Sequence, residues 1–213
     1  MPLRTTPLIN NEYYHIFNRG VAKMPIYLNR RDYQRFIKSM LYYQYAGPKP
    51  KFTRFKTSLK INLDKQIVKI IAYCLMPNHF HFLLQQKQEY GISEFIAKLI
   101  NSYTKYFNIK HKRTGHLLQG QFKAVHIETN EQLIHLSRYI HLNPFVGHKT
   151  KNLLSYTWSS YQEYLGKEKA DMCSKSIILD QFKSVSEYEK FIMDQKKYAE
   201  ELEMIKHQLI DYD

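Results

Sequence analysis

The sequence predicts an α+β fold: a ferredoxin-like antiparallel sheet with helices packed on one face, followed by a C-terminal helical extension. Three observations predict it. Short apolar runs rich in β-branched and aromatic residues occur at Tyr13–Asn18, Ile67–Cys74, His79–Gln86 and Ala124–Ile127. Stripes of helical period separate the first run from the second and the third from the fourth. The middle two runs are joined only by a turn at Met76-Pro77-Asn78. The order strand, helix, strand, strand, helix, strand is the ferredoxin-like pattern, and it leaves the second sheet face for a substrate.

The first strand ends at the turn Arg19-Gly20. From Arg31 to about Tyr45, the residues Tyr33, Phe36, Ile37, Met40 and Leu41 recur at helical spacing, and Gly47-Pro48 stops that helix. Residues 49–60 carry Lys49, Lys51, Arg54, Lys56 and Lys60 without an acid, a solvated loop with the charge to contact phosphates. The second helix is defined by the stripe Ile92, Phe95, Ile96, Leu99, Ile100, Tyr103, Tyr106 and Phe107, which reads as core. Gly115 and Gly120 punctuate the loop into the last strand. There they either turn the chain or admit close approach of a ligand, the former being commoner. Thr129-x-x-Gln132 has the form of a capping box, which starts a third helix at Asn130, and Asn143-Pro144 is expected to end it. Leu133, Leu136 and Ile140 form its buried stripe. Beyond residue 166, Tyr188, Phe191, Ile192 and Tyr198 suggest an acidic amphipathic helix, for which packing on the body is the simplest role. The boundaries expected are 1–165 for the domain and 166–213 for the extension.

The 213 residues, 44% hydrophobic, suffice for a large core, and the net charge is +13. Residues 186–213 hold four Lys against eight acids, so the rest carries 28 Lys and Arg against 11 acids. A body that basic, with 18 Tyr and 12 Phe, points to a polyanion partner whose bases can stack on aromatic rings. Cys74 and Cys173 form no CxxC motif, which excludes a zinc ribbon and a disulfide scaffold and makes reduced cytosol the default. No run has the length of a membrane span, so no membrane partner is expected.

His79 and His81 share one face of their strand, making half of a metal clamp, although a bare His-x-His more often just faces water. Tyr139 and Asn143, four apart, lie one above the other on the third helix. Were that helix to pack beside the histidines, two imidazoles and the Asn143 amide could hold one divalent ion with the Tyr139 hydroxyl next to it. Such a set serves phosphoryl transfer. A phenol of pKa about 10 attacks poorly unless its developing charge is stabilised. Nothing in the spacing prefers Tyr139 over Tyr103 or Tyr106. A water-using phosphodiesterase would need no tyrosine, and a two-histidine phosphoesterase would need His-x-Thr or His-x-Ser pairs, where the central strand carries His79-Phe80-His81.

The sequence resembles the HUH single-tyrosine transposases, in particular their REP-associated branch. The resemblance rests on five pieces in order: Tyr14–Gly20, Tyr73–Leu84, Gly115–Lys123, Arg138–Pro144, and Trp158–Tyr161 with Tyr164–Gly166. It implies the HUH nuclease fold, with His79 and His81 as metal ligands, Asn143 as a third, Mg or Mn as the ion and Tyr139 as nucleophile. The implied activity is cleavage and strand transfer of single-stranded DNA beside a hairpin through a 5′-phosphotyrosyl intermediate. A protein that keeps the fold and only binds hairpin DNA or RNA is the alternative. By the same resemblance Arg19, Lys51, Arg54, Lys56, Lys123 and Arg138 are expected to contact the DNA. The protein would act as a monomer or homodimer in the bacterial cytoplasm, at the nucleoid. Gln121 departs from the arginine expected in its loop, and residues 167–213 match nothing in the family.

Overall fold

The structure, a computed structural model, describes residues 6–47, 51–55, 65–147, 149–168 and 172–194. In chain order they form β1 (Tyr13–Arg19), α1 (Arg30–Tyr43), β2 (Val68–Met76), β3 (His79–Gln86), α2 (Gly91–Lys110), β4 (Lys123–Ile127) and α3 (Asn130–Val146). Three shorter helices follow: α4 (Tyr161–Tyr164), α5 (Ser176–Leu179) and α6 (Val185–Met193). The strands make one antiparallel sheet in the order β2-β3-β1-β4, which is the ferredoxin-like arrangement expected.

Alternation along the strands sorts the side chains. Tyr14, Ile16, Phe80 and Phe82 face α1 and α2, where the Phe36 ring meets Phe80 at 5.7 Å and Phe82 at 6.3 Å. These rings are fully buried, so this layer is the main core. Asn29 caps α1 by accepting from the Arg31 amide. Asp32, in its first turn, accepts from Lys110 and His111 at the end of α2 and so ties the two helices together.

The third helix lies on the opposite face, over the β2–β3 half of the sheet, so the helices do not all share one side. It starts as expected, with the Thr129 hydroxyl accepting from the Gln132 amide and Gln132 Oε1 accepting from the Glu128 amide. It does not stop at Asn143. Pro144 is taken inside the helix, which runs to Val146 before the Gly147 amide donates to the Asn143 carbonyl. The constraint that proline places on its predecessor is local, and burial of both Asn143 and Pro144 against the sheet outweighs it.

The chain after α3 is built onto it. Leu75 N–H donates to the Trp158 carbonyl and Ser160 N–H to the Tyr73 carbonyl, so Trp158–Ser160 covers the outer edge of β2. Tyr188 and Ile192 of α6 are fully buried against the far side of α3, giving the amphipathic helix the packing role expected. The expected Tyr198 position and residues 56–64, with Lys56 and Lys60, lie outside the described residues, as does Lys49.

Candidate active site

Antiparallel register decides which side chains meet on the α3 side of the sheet. Arg19 lies opposite His79, Phe17 opposite His81, and Lys123 opposite Phe17 on its other flank. His79, His81, Arg19 and Lys123 therefore share one face, as directly opposed residues must. α3 crosses this face so that the Tyr139 ring stands edge-on to His81, with centroids 5.2 Å apart at 85°. Asn143 follows one turn later on the same helix. Its end of α3 abuts Met76, the register partner of His79. Tyr103 and Tyr106 belong to α2, on the other face: Tyr103 donates to the Ile26 carbonyl and Tyr106 to Asp32. Tyr139 is thus the one of the three that reaches the imidazoles.

The histidines are held by neighbours not singled out from the sequence. His79 Nδ1 is 2.7 Å from Asn78 Oδ1. An amide oxygen only accepts, so Nδ1 carries the proton and Nε2 keeps its lone pair. His81 is completely buried, and its Nδ1 lies 2.9 Å from Nε2 of His15, a third imidazole on the same face. His81 Nε2 is buried with no hydrogen-bond partner among the described residues. Desolvation first, then the nearby charges of His79, His15 and Arg19, hold the His81 pKa well below its ordinary value. It is a neutral imidazole with a lone pair to give, which is what a divalent cation requires. Among the described residues no three His, Cys, Asp or Glu side chains gather into a complete metal cluster. Any ion held here needs oxygen donors besides the imidazoles.

Beside this face a cleft of about 330 Å³ is lined by Phe17, Arg19, Lys23, Gln119, Gln121 and Lys123. Three cations and no carboxylate line it, an arrangement that favours an anion. Gly115 and Gly120 adopt positive φ, the left-handed conformation in which they turn the loop. A larger groove of about 580 Å³ runs along α2 on the other side of the sheet and does not include the imidazoles.

Lys51 and Arg54 are exposed, but their segment packs through Phe52 and Phe55 on Tyr42 of α1, on the layer opposite the histidines. Arg138 is not placed to meet a phosphate. It is 1% exposed, and its guanidinium carbon lies 4.9 Å from the centre of the Phe191 ring. α3 is covered on its outer side by α6, which removes Arg138 from the surface.

Residues 49–143 match the family model of the IS200-like transposases, a span holding both histidines and Tyr139. The fold of the chain is shared with a solved REP-associated tyrosine transposase bound to a REP hairpin, at 14% identity and a TM-score of 0.55, covering 83% of this chain and 96% of the other. The tRNA(His) guanylyltransferase of Saccharomyces cerevisiae aligns over 93% of this chain and 80% of its own at 11% identity, with a TM-score of only 0.38. No curated protein sequence matches this chain significantly.

Proposed function

We propose that this protein is a transposase of the IS200-like kind, which cleaves and rejoins single-stranded DNA at hairpin-bearing sequences with Tyr139 as nucleophile. The observation that carries the reading is the Tyr139 ring packed edge-on against His81, on the sheet face that also presents His79. The structural relative's hairpin ligand and the cationic cleft support DNA as the substrate.

His79 and His81 would hold a divalent ion, Mg or Mn, through their Nε2 atoms, with Asn143 as an oxygen donor. When bound, the ion offsets charge developing on the scissile phosphate and aligns it for attack. In the step itself, the Tyr139 oxygen gives up its proton and bonds to phosphorus, and the bond from phosphorus to the 3′ oxygen breaks. That oxygen takes a proton and leaves as a 3′-hydroxyl, while the 5′ phosphate stays on Tyr139. Reversal with a different 3′-hydroxyl joins new ends. Arg19, Lys23 and Lys123 position the phosphates around this point, and Lys51 and Arg54 add to the positive field from the other layer. Residues 1–165 would be the catalytic domain and residues 166–213 an extension, whose helix α6 backs α3. No helix among the described residues is long and apolar enough to cross a membrane.

The test is incubation of the full chain with a pool of hairpin-bearing single strands and Mn²⁺, followed by recovery of protein-linked DNA. The wild type is expected to yield a covalent adduct. Tyr139→Phe yields none while binding the same strands with nearly unchanged affinity. Cleavage at the wild-type rate by Tyr139→Phe would reject Tyr139 as nucleophile. Tight binding without any adduct from the wild type would favour a non-cleaving hairpin-binding protein.

A further inference from the structure

His15 is the one buried polar side chain of β1 that faces the candidate site and has no part in the reaction described. It is completely inaccessible to solvent. Its ring lies nearly parallel to that of His81, with centroids 5.2 Å apart and 20° between the planes, and Phe17 and Tyr139 wall it in at 4.6 Å and 6.0 Å. The register explains the contact: His15 stands two residues from Phe17, the partner of His81, so the two imidazoles meet diagonally across the pair.

We infer that His15 is a positioning residue for His81: it accepts the His81 Nδ1 proton at Nε2 and so fixes the tautomer in which His81 Nε2 faces the site with a lone pair. The inference rests on the reading of His81 as a metal ligand. Two proton placements fit a distance of 2.9 Å between His15 Nε2 and His81 Nδ1. Burial alone does not choose between them, because the accepting ring carries its own proton on a buried nitrogen in either case: His81 Nε2 if His15 donates, His15 Nδ1 if His81 donates. If His81 donates, the atom left at Nε2 is a lone pair, which a cation satisfies. Only the second placement is compatible with ligation. It gives His81 what Asn78 gives His79, a hydrogen-bond acceptor at Nδ1 that orients the ring and makes the free nitrogen the ligand. Each imidazole of the pair then has its own orienting neighbour, one from the β2–β3 turn and one from β1. Tyr139 packs on both His15 and His81, so the same ring also forms part of the wall that places the phenol.

The experiment compares the full-length wild type with His15→Phe, His15→Gln and His81→Ala. Phenylalanine fills the space and removes the acceptor, whereas the glutamine oxygen restores one. Long-range ¹H–¹⁵N spectra without metal report the His81 tautomer, and Mn²⁺ affinity is measured by titration. The wild type should show His81 protonated at Nδ1. His15→Phe should lose that preference and bind Mn²⁺ about 10- to 100-fold more weakly. His15→Gln should recover the tautomer and most of the affinity. A wild-type tautomer and wild-type affinity in His15→Phe would overturn the inference while loss of Mn²⁺ binding in His81→Ala left the ligand reading intact. Equal loss in the Phe and Gln variants would also overturn it, since ring packing rather than the acceptor would then matter. Unchanged Mn²⁺ binding in His81→Ala, or none in the wild type, would sink the ligand reading and this inference with it.

Discussion

Close approach of backbone to backbone governs several single residues around the site, and Gly20 is the sharpest case. Its amide donates to the Asn78 carbonyl, and it bridges to Leu118 at the point where β1, the β2–β3 turn and the 115–122 loop converge. A Cβ there would stand 2.1 Å from the Met24 carbonyl oxygen and 2.9 Å from Ile26 Cγ2. The backbone angles are ordinary extended ones, so glycine is required by space and not by conformation. Gly20→Ala is expected to cost about 2 kcal/mol, the scale of overpacking a tight site. It should also shift Arg19 relative to His79, which lie directly opposite each other. Urea unfolding measures the first effect, and weaker Mn²⁺ binding by a chain that is still folded measures the second. The spacing of Asn18-Arg19-Gly20 marks a strand end, but which backbone closes on the glycine depends on loops far away in sequence. For the same reason the sequence does not single out His15. Alternation places it on a face, and only the β1–β3 register shows that the face is that of His81.

At the scale of elements, what was legible followed from period. The strand over His79–Gln86 lies where alternation puts it, and the stripe from Ile92 to Phe107 is indeed the buried side of α2. What was not legible came from contacts made by distant segments. α3 reads as one-sided from Leu133, Leu136 and Ile140, yet all its residues from Leu136 to Pro144 are buried, because α6 covers the side away from the sheet. His141 shows how. Its Nδ1 lies 2.8 Å from the Tyr188 hydroxyl and its Nε2 2.7 Å from Ser160, joining α6 and the β2 edge through α3, and burial lowers its pKa to about 3. The tie between α1 and α2 yields a test of its own. Burial alone would raise the Asp32 pKa, but hydrogen bonds from Lys110, the Leu28 amide and Tyr106 outweigh it, and the pKa falls below the ordinary 3.8. A carboxylate with a lowered folded pKa contributes stability above its unfolded value, and loses it as pH falls through the folded one. Asp32→Asn should therefore cost about 3 kcal/mol at neutral pH, as breaking a buried ion pair does. The gap from wild type should narrow below about pH 4. Denaturant melts at pH 7 and pH 3 decide it, and a gap independent of pH would show that shape and not charge holds the helices.

Across the whole molecule the excess of cations is uneven in a way that composition cannot reveal. The net charge of +13 does not say which cations reach a ligand. Arg138 is sealed under Phe191, Lys110 is paired with Asp32, and Lys51 and Arg54 ride on the α1 layer. Lys123 instead lines the cleft beside the imidazoles with Arg19 and Lys23, its ammonium 5.9 Å from the centre of the Phe17 ring. Binding of single strands releases counterions, so the logarithm of affinity falls linearly with the logarithm of salt, by about 0.7 for each phosphate neutralised. Lys123→Gln is expected to lower that slope by about 0.7 and to weaken binding similarly for all sequences, since a phosphate contact carries no base information. Lys183, an exposed cation just before α6, supplies the control: Lys183→Gln changes the net charge equally but lies on the side where α6 backs α3, and should leave the slope unchanged. Equal changes from both substitutions would mean that strands respond to the overall charge and not to this cleft. A flat salt response in the wild type would argue against a polyanion partner altogether.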